Sequence, residues 1–215
     1  LTGVKFSVIS DQLSVVATDG FRLARKILNA QSSMLNDDLI LPARTIMELA
    51  RVVEEQKDEE VEMTTIKQNN QVIFKCGNVE VISRVLEGNF PDTEKIIPRD
   101  FKTQVTVDRL GWIKTLRTAG IFARDNSNIV KFTISGSKFV VGAAASGVGE
   151  GESVMEVEKK GEDGEIAFNY KFVMDFLNSI AGERVVFKMN DNLSPGVWAN
   201  EKDGDLVALV MPVRV

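Results

Sequence analysis

The sequence repeats itself at a spacing of about 126 residues, which restricts the chain to folds made of two similar units. Residues 4–8, Val-Lys-Phe-Ser-Val, match residues 130–134, Val-Lys-Phe-Thr-Ile, and both segments alternate as half-buried strands do. Residues 38–49 match residues 165–176, and in both places a strand pattern leads into a helix pattern. We therefore expect a tandem duplication.

Each copy also ends with a similar strand, at residues 79–83 and 206–210. Pro42 and Asn169 stand at the two helix entrances, where a missing N–H costs nothing and an asparagine side chain can act as a cap. Strands and helices mixed in this way predict an α+β fold of mostly antiparallel sheet. We place the boundary between the copies near residues 98–102, which gives domains at 1–100 and 101–215.

The second copy begins with a strand pattern at residues 103–107 and a helix pattern at residues 109–123, and neither has a counterpart in the first copy. The chain also starts with leucine instead of methionine. These two observations predict a fragment whose first domain lacks its opening strand and helix.

The composition argues against most enzyme classes. The chain has no histidine, which is the commonest general base and metal ligand. Its acidic residues lie mainly in turn-like runs, and residues 147–151 lack the Lys-Ser/Thr of a nucleotide-binding loop. The single cysteine, Cys76, lies in a strand pattern and is interpreted as structural. We expect a non-catalytic protein without metal or cofactor; a histidine-independent enzyme with clustered carboxylates and a metal stays an alternative.

Hydrophobic residues make up 44% of the chain and charged residues 27%, as in ordinary globular proteins with a buried core. No stretch approaches the roughly 18 uninterrupted apolar residues of a membrane span, and the N-terminal residues lack the order of a secretory signal. The sequence therefore predicts a soluble cytoplasmic protein that makes no membrane contact.

Three further segments resemble signatures of the bacterial DNA polymerase III beta subunit, the sliding clamp. They are residues 17–24, Ala-Thr-Asp-Gly-Phe-Arg-Leu-Ala; residues 86–92, Leu-Glu-Gly-Asn-Phe-Pro-Asp; and residues 210–215, Val-Met-Pro-Val-Arg-Val. Together with Ile166 to Asn169 before a helix, they follow the order and spacing of the middle and C-terminal domains of that family. Phe21 stands where the family often has histidine, and Val215 where leucine is common.

The resemblance implies a DNA-clamp fold, with two tandem domains of mostly antiparallel sheet and helices on one face. It implies a non-catalytic processivity factor whose homodimeric ring encircles duplex DNA independently of sequence, while the fragment itself is expected to be monomeric. Replicative and repair DNA polymerases and the clamp loader would bind through short Gln-Leu-x-Leu-Phe-like motifs. A protein-interaction scaffold of the same fold that does not bind DNA is the alternative.

The resemblance also implies a peptide groove between the two domains. Aliphatic and methionine side chains would form an adaptable apolar trough, and arginine and main-chain groups would fix polar atoms of the peptide. Pro212 would stop the last strand from pairing further. The other interpretation of these residues is core strands and a tight turn at Asp19-Gly20. The matching positions are Leu1, Thr18, Gly20, Arg22, Leu23, Pro91, Lys95, Ile96, Leu193, Pro195, Leu209, Val210, Met211, Pro212, Val213 and Arg214.

Two predicted helices carry cations. On helix 43–55 one face is apolar: Ile46, Leu49, Ala50 and Val53. The opposite face is charged: Arg44, Glu48, Arg51 and Glu55. This pattern is also typical of a solvated, ion-paired helix, and its glutamates favour the scaffold alternative. On helix 109–123 the predicted apolar stripe is Leu110, Ile113, Leu116 and Gly120.

The resemblance implies that six cations face DNA: Arg44, Arg51, Lys114, Arg117, Arg124 and Lys171, the last at the position equivalent to Arg44. The net charge of −5 is compatible with this function, because a ring holds DNA by topology and needs few phosphate contacts.

Ile121 and Phe122 fall off the apolar stripe of helix 109–123, so both are expected to be exposed. In the family this helix edge meets the other subunit of the ring, and Glu150 and Glu152 match the acidic residues of that contact. Local packing that covers Phe122 is the alternative.

Overall fold

The computed structural model describes residues 2–9, 12–29, 38–57, 60–124, 126–145 and 149–214. Contacts divide the chain into two compact units. Unit 1 consists of Leu1–Gly20 and Ala24–Asp92, and unit 2 of Phe21–Leu23 and Thr93–Val215.

Unit 1 contains antiparallel strands and one described helix. Its strand orders are β3-β2-β1-β4 and β5-β6-β7. The first residues of β3 belong to unit 2. The elements are β1 (Gly3–Ile9), β2 (Gln12–Thr18), β3 (Arg22–Leu28), β4 (Leu39–Pro42), α1 (Ala43–Gln56), β5 (Glu62–Ile66), a 3-10 turn (Lys67–Asn69), β6 (Gln71–Cys76) and β7 (Val79–Arg84).

Unit 2 has the same plan with additional elements. Its strand orders are β11-β10-β9-β13 and β12-β8-β14-β15-β16. The elements are β8 (Thr103–Asp108), α2 (Arg109–Ala123), β9 (Ile129–Ser135), β10 (Lys138–Ala145), β11 (Gly149–Glu156), β12 (Glu158–Gly161), β13 (Gly164–Asn169), α3 (Tyr170–Ser179), β14 (Arg184–Met189), β15 (Gly196–Asn200) and β16 (Leu206–Val210).

Strand pairing reproduces the sequence repeat residue by residue. Phe6 on β1 faces Val15 on β2, and Phe132 on β9 faces Val141 on β10, so both partners are displaced by 126 positions. Strand β4 pairs with β1 as β13 pairs with β9, and α1 and α3 follow these two strands. The predicted α+β fold with mostly antiparallel sheets is confirmed.

Local signals define where the helices begin. Helix α1 starts after Pro42, and α3 starts after Asn169, whose side chain accepts a hydrogen bond from the N–H of Lys171 at 3.1 Å. The carboxylate of Asp108 accepts from the N–H of Gly111 at 2.6 Å and caps α2. Helix α2 spans the predicted residues 109–123.

The predicted apolar faces of two helices need correction. On α1, Ala50 is exposed and Val52 is buried, so the buried face lies further round the helix. On α2, Leu110 is 64% exposed. Helix α2 is packed on a wide face by strands β8 to β11 and by α3. Its buried residues are Trp112, Ile113, Leu116, Ala119, Gly120 and Ala123.

The two cores differ in aromatic content. In unit 2, Trp112 of α2 lies with its ring centroid 5.3 Å from Phe139, 5.8 Å from Phe132 and 6.1 Å from Phe187. In unit 1, the described core contains one aromatic pair, Phe6 and Phe74, with centroids 6.3 Å apart. Such ring pairs contribute beyond their buried area.

Cys76 is buried on β6, as expected for a structural cysteine. Within the described ranges, no helix combines the length and the hydropathy that crossing a membrane would require.

Candidate functional site

Residues 211–214 form a tail that leaves β16 and is anchored within unit 2 at two points. The N–H of Met211 donates to the carbonyl of Phe21, and the N–H of Val213 donates to the carbonyl of Ala167, both at 2.8 Å. Pro212, between them, has no N–H to donate. Met211 is 38% exposed and Arg214 is also exposed, so the tail is ordered without being buried.

A cleft of about 450 Å³ lies beside this tail, and we name it the tail cleft. By strand alternation, Ala167 shares the outward face of β13 with exposed Glu165, yet Ala167 is only 2% exposed because the tail binds over it. Buried residues thus form the floor, and exposed polar residues form much of the rim. The lining residues are Lys131, Glu165, Ile166, Ala167, Asn192, Leu193, Val213 and Arg214.

One carboxylate organises the loop at the edge of the tail cleft. Asp191 accepts hydrogen bonds from the N–H groups of Leu193 at 2.9 Å and Ser194 at 2.6 Å. Hydrogen bonds from the N–H of Leu193, from the hydroxyl of Ser194 and from the N–H of Ser194 hold the pKa of Asp191 below its ordinary value, because they bind the charged form. Leu193, which is 59% exposed, is thereby fixed at the rim.

Arg22 is held by two residues of α3. Its guanidinium forms an ion pair with Asp175 at 2.5 Å and lies 4.6 Å from the ring centroid of Phe172. Phe172 and Asp175 are three residues apart, so they lie on one face of the helix. Sequence reasoning missed both residues, because no local pattern connects α3 with Arg22, which lies about 150 residues away in the sequence.

The other predicted groove residues have varied environments. Leu23, Leu209 and Val210 are 2–3% exposed, so they can support a floor but offer little surface. Three residues of unit 2 remain at least partly accessible: Lys95, Ile96 and Pro195.

In unit 1, Thr18 and Gly20 form a turn in which the N–H of Gly20 donates to Thr18 Oγ1 at 3.1 Å, and Gly20 has φ +92°. Pro91 is exposed. Leu1 lies outside the described residues. The tail cleft contains three predicted groove residues, Leu193, Val213 and Arg214, and the complete groove stays a prediction.

All six predicted DNA-facing cations are exposed. Arg51 is paired with Glu48 at 2.5 Å and also with Glu55. The hydrogen bond between Arg51 and Glu48 raises the pKa of Arg51 and lowers that of Glu48. This is the ion-paired arrangement that the charge pattern of α1 allowed. On α2, by contrast, Lys114 and Arg117 make no ion pair within the described part of the chain.

The predicted ring-contact residues are only partly as expected. Ile121 is 64% exposed and Glu152 is exposed. The expectation that Phe122 is exposed is wrong, because its ring packs on the unit 2 core under β11, where a Cβ on Gly151 would stand 2.5 Å from it. The side chain of Glu150 lies outside the described part.

Among the residues described, no three His, Cys, Asp or Glu side chains are grouped so that they could hold a metal ion.

Comparison with known proteins identifies relatives of both units. Residues 1–92 match the family described as DNA polymerase III beta subunit, central domain, and residues 94–214 match its C-terminal domain. The beta sliding clamp of Synechocystis sp. is 32% identical over 231 residues, covering 100% of this chain and 58% of that protein. That of Chlamydia muridarum is 31% identical over 216 residues, covering 100% and 57%.

Solved structures give the same result. A sliding clamp from Pseudomonas aeruginosa bound to griselimycin has a TM-score of 0.92 at 29% identity, and the match covers 100% of this chain and 57% of that one. The DNA polymerase III beta subunit from Thermotoga maritima has a TM-score of 0.89 at 30% identity, covering 100% and 58%. The chain therefore spans somewhat more than half the length of these relatives.

Proposed function

The chain belongs to the DNA polymerase III beta subunit family, and from this premise we propose that it serves as part of a sliding clamp. In this proposal it is a non-catalytic, cytoplasmic processivity factor with domains at 1–100 and 101–215. It tethers replicative and repair DNA polymerases, and it receives the clamp loader, through their Gln-Leu-x-Leu-Phe-like motifs.

The observation that carries the proposal is the tail. Two backbone hydrogen bonds fix it, while Met211 and Arg214 stay accessible and a cleft lined in part by apolar Leu193 and Val213 lies alongside. Because the tail is already ordered, peptide binding costs less conformational entropy. Methionine adapts to leucine and aromatic anchors, and arginine binds polar atoms.

Peptide titration tests this proposal. A fluorescently labelled peptide containing Gln-Leu-Ser-Leu-Phe should bind the chain, and Met211→Ala and Arg214→Ala should each weaken binding by about 1–3 kcal/mol. Met47→Ala is the matched control, because Met47 is 72% exposed on α1 and belongs to no predicted groove position. Unchanged affinity in both tail variants would remove the tail from the binding site.

We further propose that duplex DNA passes through a homodimeric ring and faces Arg44, Lys114, Arg117, Arg124 and Lys171. Arg51 should contribute less, because Glu48 and Glu55 already bind its charge. In the same proposal Ile121, Phe122, Glu150 and Glu152 belong to the contact between subunits.

The scaffold of the same fold is the second candidate, and the neutralised Arg51 is the observation that favours it. A subunit of the relatives' full length that carries these residues should remain on closed circular DNA after treatment with a clamp loader. Replacement of both Lys114 and Arg117 by glutamine should shorten that retention. A wild-type subunit that leaves the circle at once would support the scaffold.

A further inference from the structure

One of the three charged side chains that line the tail cleft has no charged partner. Lys131 and Glu165 neutralise each other through an ion pair of 2.7 Å. Arg214 lies on the same cleft, is exposed, and forms no ion pair with any other described residue. Among the lining residues Arg214 is therefore the one charged side chain without a charged partner, whereas the carboxylate of Asp191 at the edge of the cleft is bound by the N–H groups of Leu193 and Ser194. Ala167, on the outward face of β13, lies beneath the tail.

We propose that the tail cleft binds a carboxylate that the partner peptide carries next to its Gln-Leu-x-Leu-Phe-like motif. This inference rests on the proposed function and deepens it, because it names what is recognised beyond the motif. The carboxylate belongs either to an aspartate or glutamate side chain or to the C-terminus of the peptide.

The chemistry of Arg214 favours a carboxylate over other polar groups. A guanidinium presents a planar fork of N–H donors that matches the two oxygens of a carboxylate. A volume of about 450 Å³ lies in the lower part of the range for ligand pockets, which suits a short flanking segment.

Glu165 determines how strongly the tail cleft prefers an acidic peptide. Its carboxylate would repel an incoming anion if Lys131 did not hold it. Removal of the Glu165 charge frees Lys131 and leaves two cations facing the ligand. Removal of the Arg214 charge leaves only the neutral pair. The two substitutions therefore change the preference for an acidic peptide in opposite directions.

The experiment compares matched peptides by fluorescence anisotropy at low ionic strength. Each contains Gln-Leu-Ser-Leu-Phe, with glutamate or glutamine at one of the positions flanking the motif on either side. A further pair ends directly after the motif as a free carboxylate or an amide. Dissociation constants are measured for the wild-type chain and for Arg214→Gln, Arg214→Lys and Glu165→Gln.

At one position the acidic peptide should bind about threefold to fivefold more tightly than its amide partner, as expected for a solvent-accessible charge pair. The ratio should fall to about one in Arg214→Gln, return in part in Arg214→Lys, and increase in Glu165→Gln. Identification of the responsive pair distinguishes a side-chain carboxylate from the terminal one.

Two results would overturn the inference, and they differ in what they say of the proposed function. If all motif peptides bind and no acidic member binds more tightly than its amide partner, the carboxylate site is absent while the peptide-binding function survives. If no motif peptide binds the wild-type chain, the proposed function fails as well. Unchanged melting temperatures of the three variants establish that each remains folded.

Discussion

Unit 2 carries phenylalanine at two core positions where unit 1 carries a smaller side chain. Leu13 faces Val8 across β1 and β2, as Phe139 faces Ile134 across β9 and β10. Met63 faces Phe74, as Phe187 faces Trp198. The two phenylalanines have no exposed surface, whereas Leu13 and Met63 are half-buried.

The difference follows from α2, which has no counterpart among the described residues of unit 1. Its Trp112 contacts both Phe139 and Phe187 and closes the core over them. Complete burial of an apolar side chain is worth about 1.5–3 kcal/mol relative to exposure. One strand framework can therefore hold cores of different depth, depending on the helix that covers it.

The largest effect should come from a pair of substitutions at one matched position. Phe187→Ala should destabilise unit 2 by about 3–5 kcal/mol, because it opens a cavity between Trp112 and Trp198. Met63→Ala should cost only about 1 kcal/mol, because solvent already reaches that side chain. Urea unfolding measures the first by tryptophan fluorescence, since both tryptophans lie in unit 2. Hydrogen exchange of β5 and β6 measures the stability loss in Met63→Ala. Equal losses of stability in Phe187→Ala and Met63→Ala would contradict the comparison.

A smaller effect should come from the contact between α2 and α3. A Cβ on Gly120 would stand 2.7 Å from the ring of Tyr170, so Gly120→Ala should cost about 1–2 kcal/mol after the better helix propensity of alanine is included. At exposed Ala50 of α1 the reverse exchange, Ala50→Gly, should also cost about 1 kcal/mol, from helix propensity alone.

Chemical denaturation of the double variant Gly120→Ala, Tyr170→Ala tests whether the ring causes this loss. Crowding by the ring predicts that the two substitutions cost less together than the sum of their separate effects. Simple additivity would show that the cost arises elsewhere.

Removal of an ion pair should weaken peptide binding at α3 but not at α1. Asp175→Asn should weaken binding of the motif peptide about twofold to fivefold, because Arg22 loses the ion pair that helps to hold it. Glu48→Gln on α1 removes a similar exposed pair and should leave peptide affinity unchanged. Isothermal titration calorimetry of both variants makes the comparison, and an equal response would mean that the position of Arg22 is unimportant.

The smallest effect should be a pH response of the loop beside the tail cleft. The pKa of Asp191 is lower in the folded chain than its usual value of about 3.9, so its stabilising hydrogen bonds are fully present above about pH 4. They are lost as the pH falls through the lowered pKa. The amide NMR signals of Leu193 and Ser194 should shift in that range and should not titrate in Asp191→Asn. Identical titration in the variant would assign the response to another group.

Much of the fold followed from the sequence because the repeat fixed strands and register together. The identity of the strands, the extent of α2 and the two matched helix entrances needed only local patterns. The buried face of α2 could not be obtained in this way, because apolar side chains surround most of that helix and periodicity does not select one face. Leu110 was consequently assigned to the core and Phe122 to the surface.

Less of the candidate site than of the fold could be predicted from the sequence. The tail stood out as an apolar run with a proline, and the structure places it beside a cleft. Lys131 and Glu165 gave no signal, because each is an ordinary exposed residue on its own strand. They meet only because β9 and β13 pair in one register. Phe172 and Asp175 were missed for the same reason, since their partner Arg22 lies about 150 residues away in the sequence.

The shared register of the two hairpins creates a hazard during folding, because duplicated strands can exchange partners. If β10 paired with β1, Phe139 would take the half-buried position of Leu13 and would lose its contact with Trp112. If β2 paired with β9, a void would remain next to Trp112. Both errors carry a packing penalty. Unequal side-chain sizes at matched positions thus favour the correct strand pairs over the exchanged pairs while the chain folds.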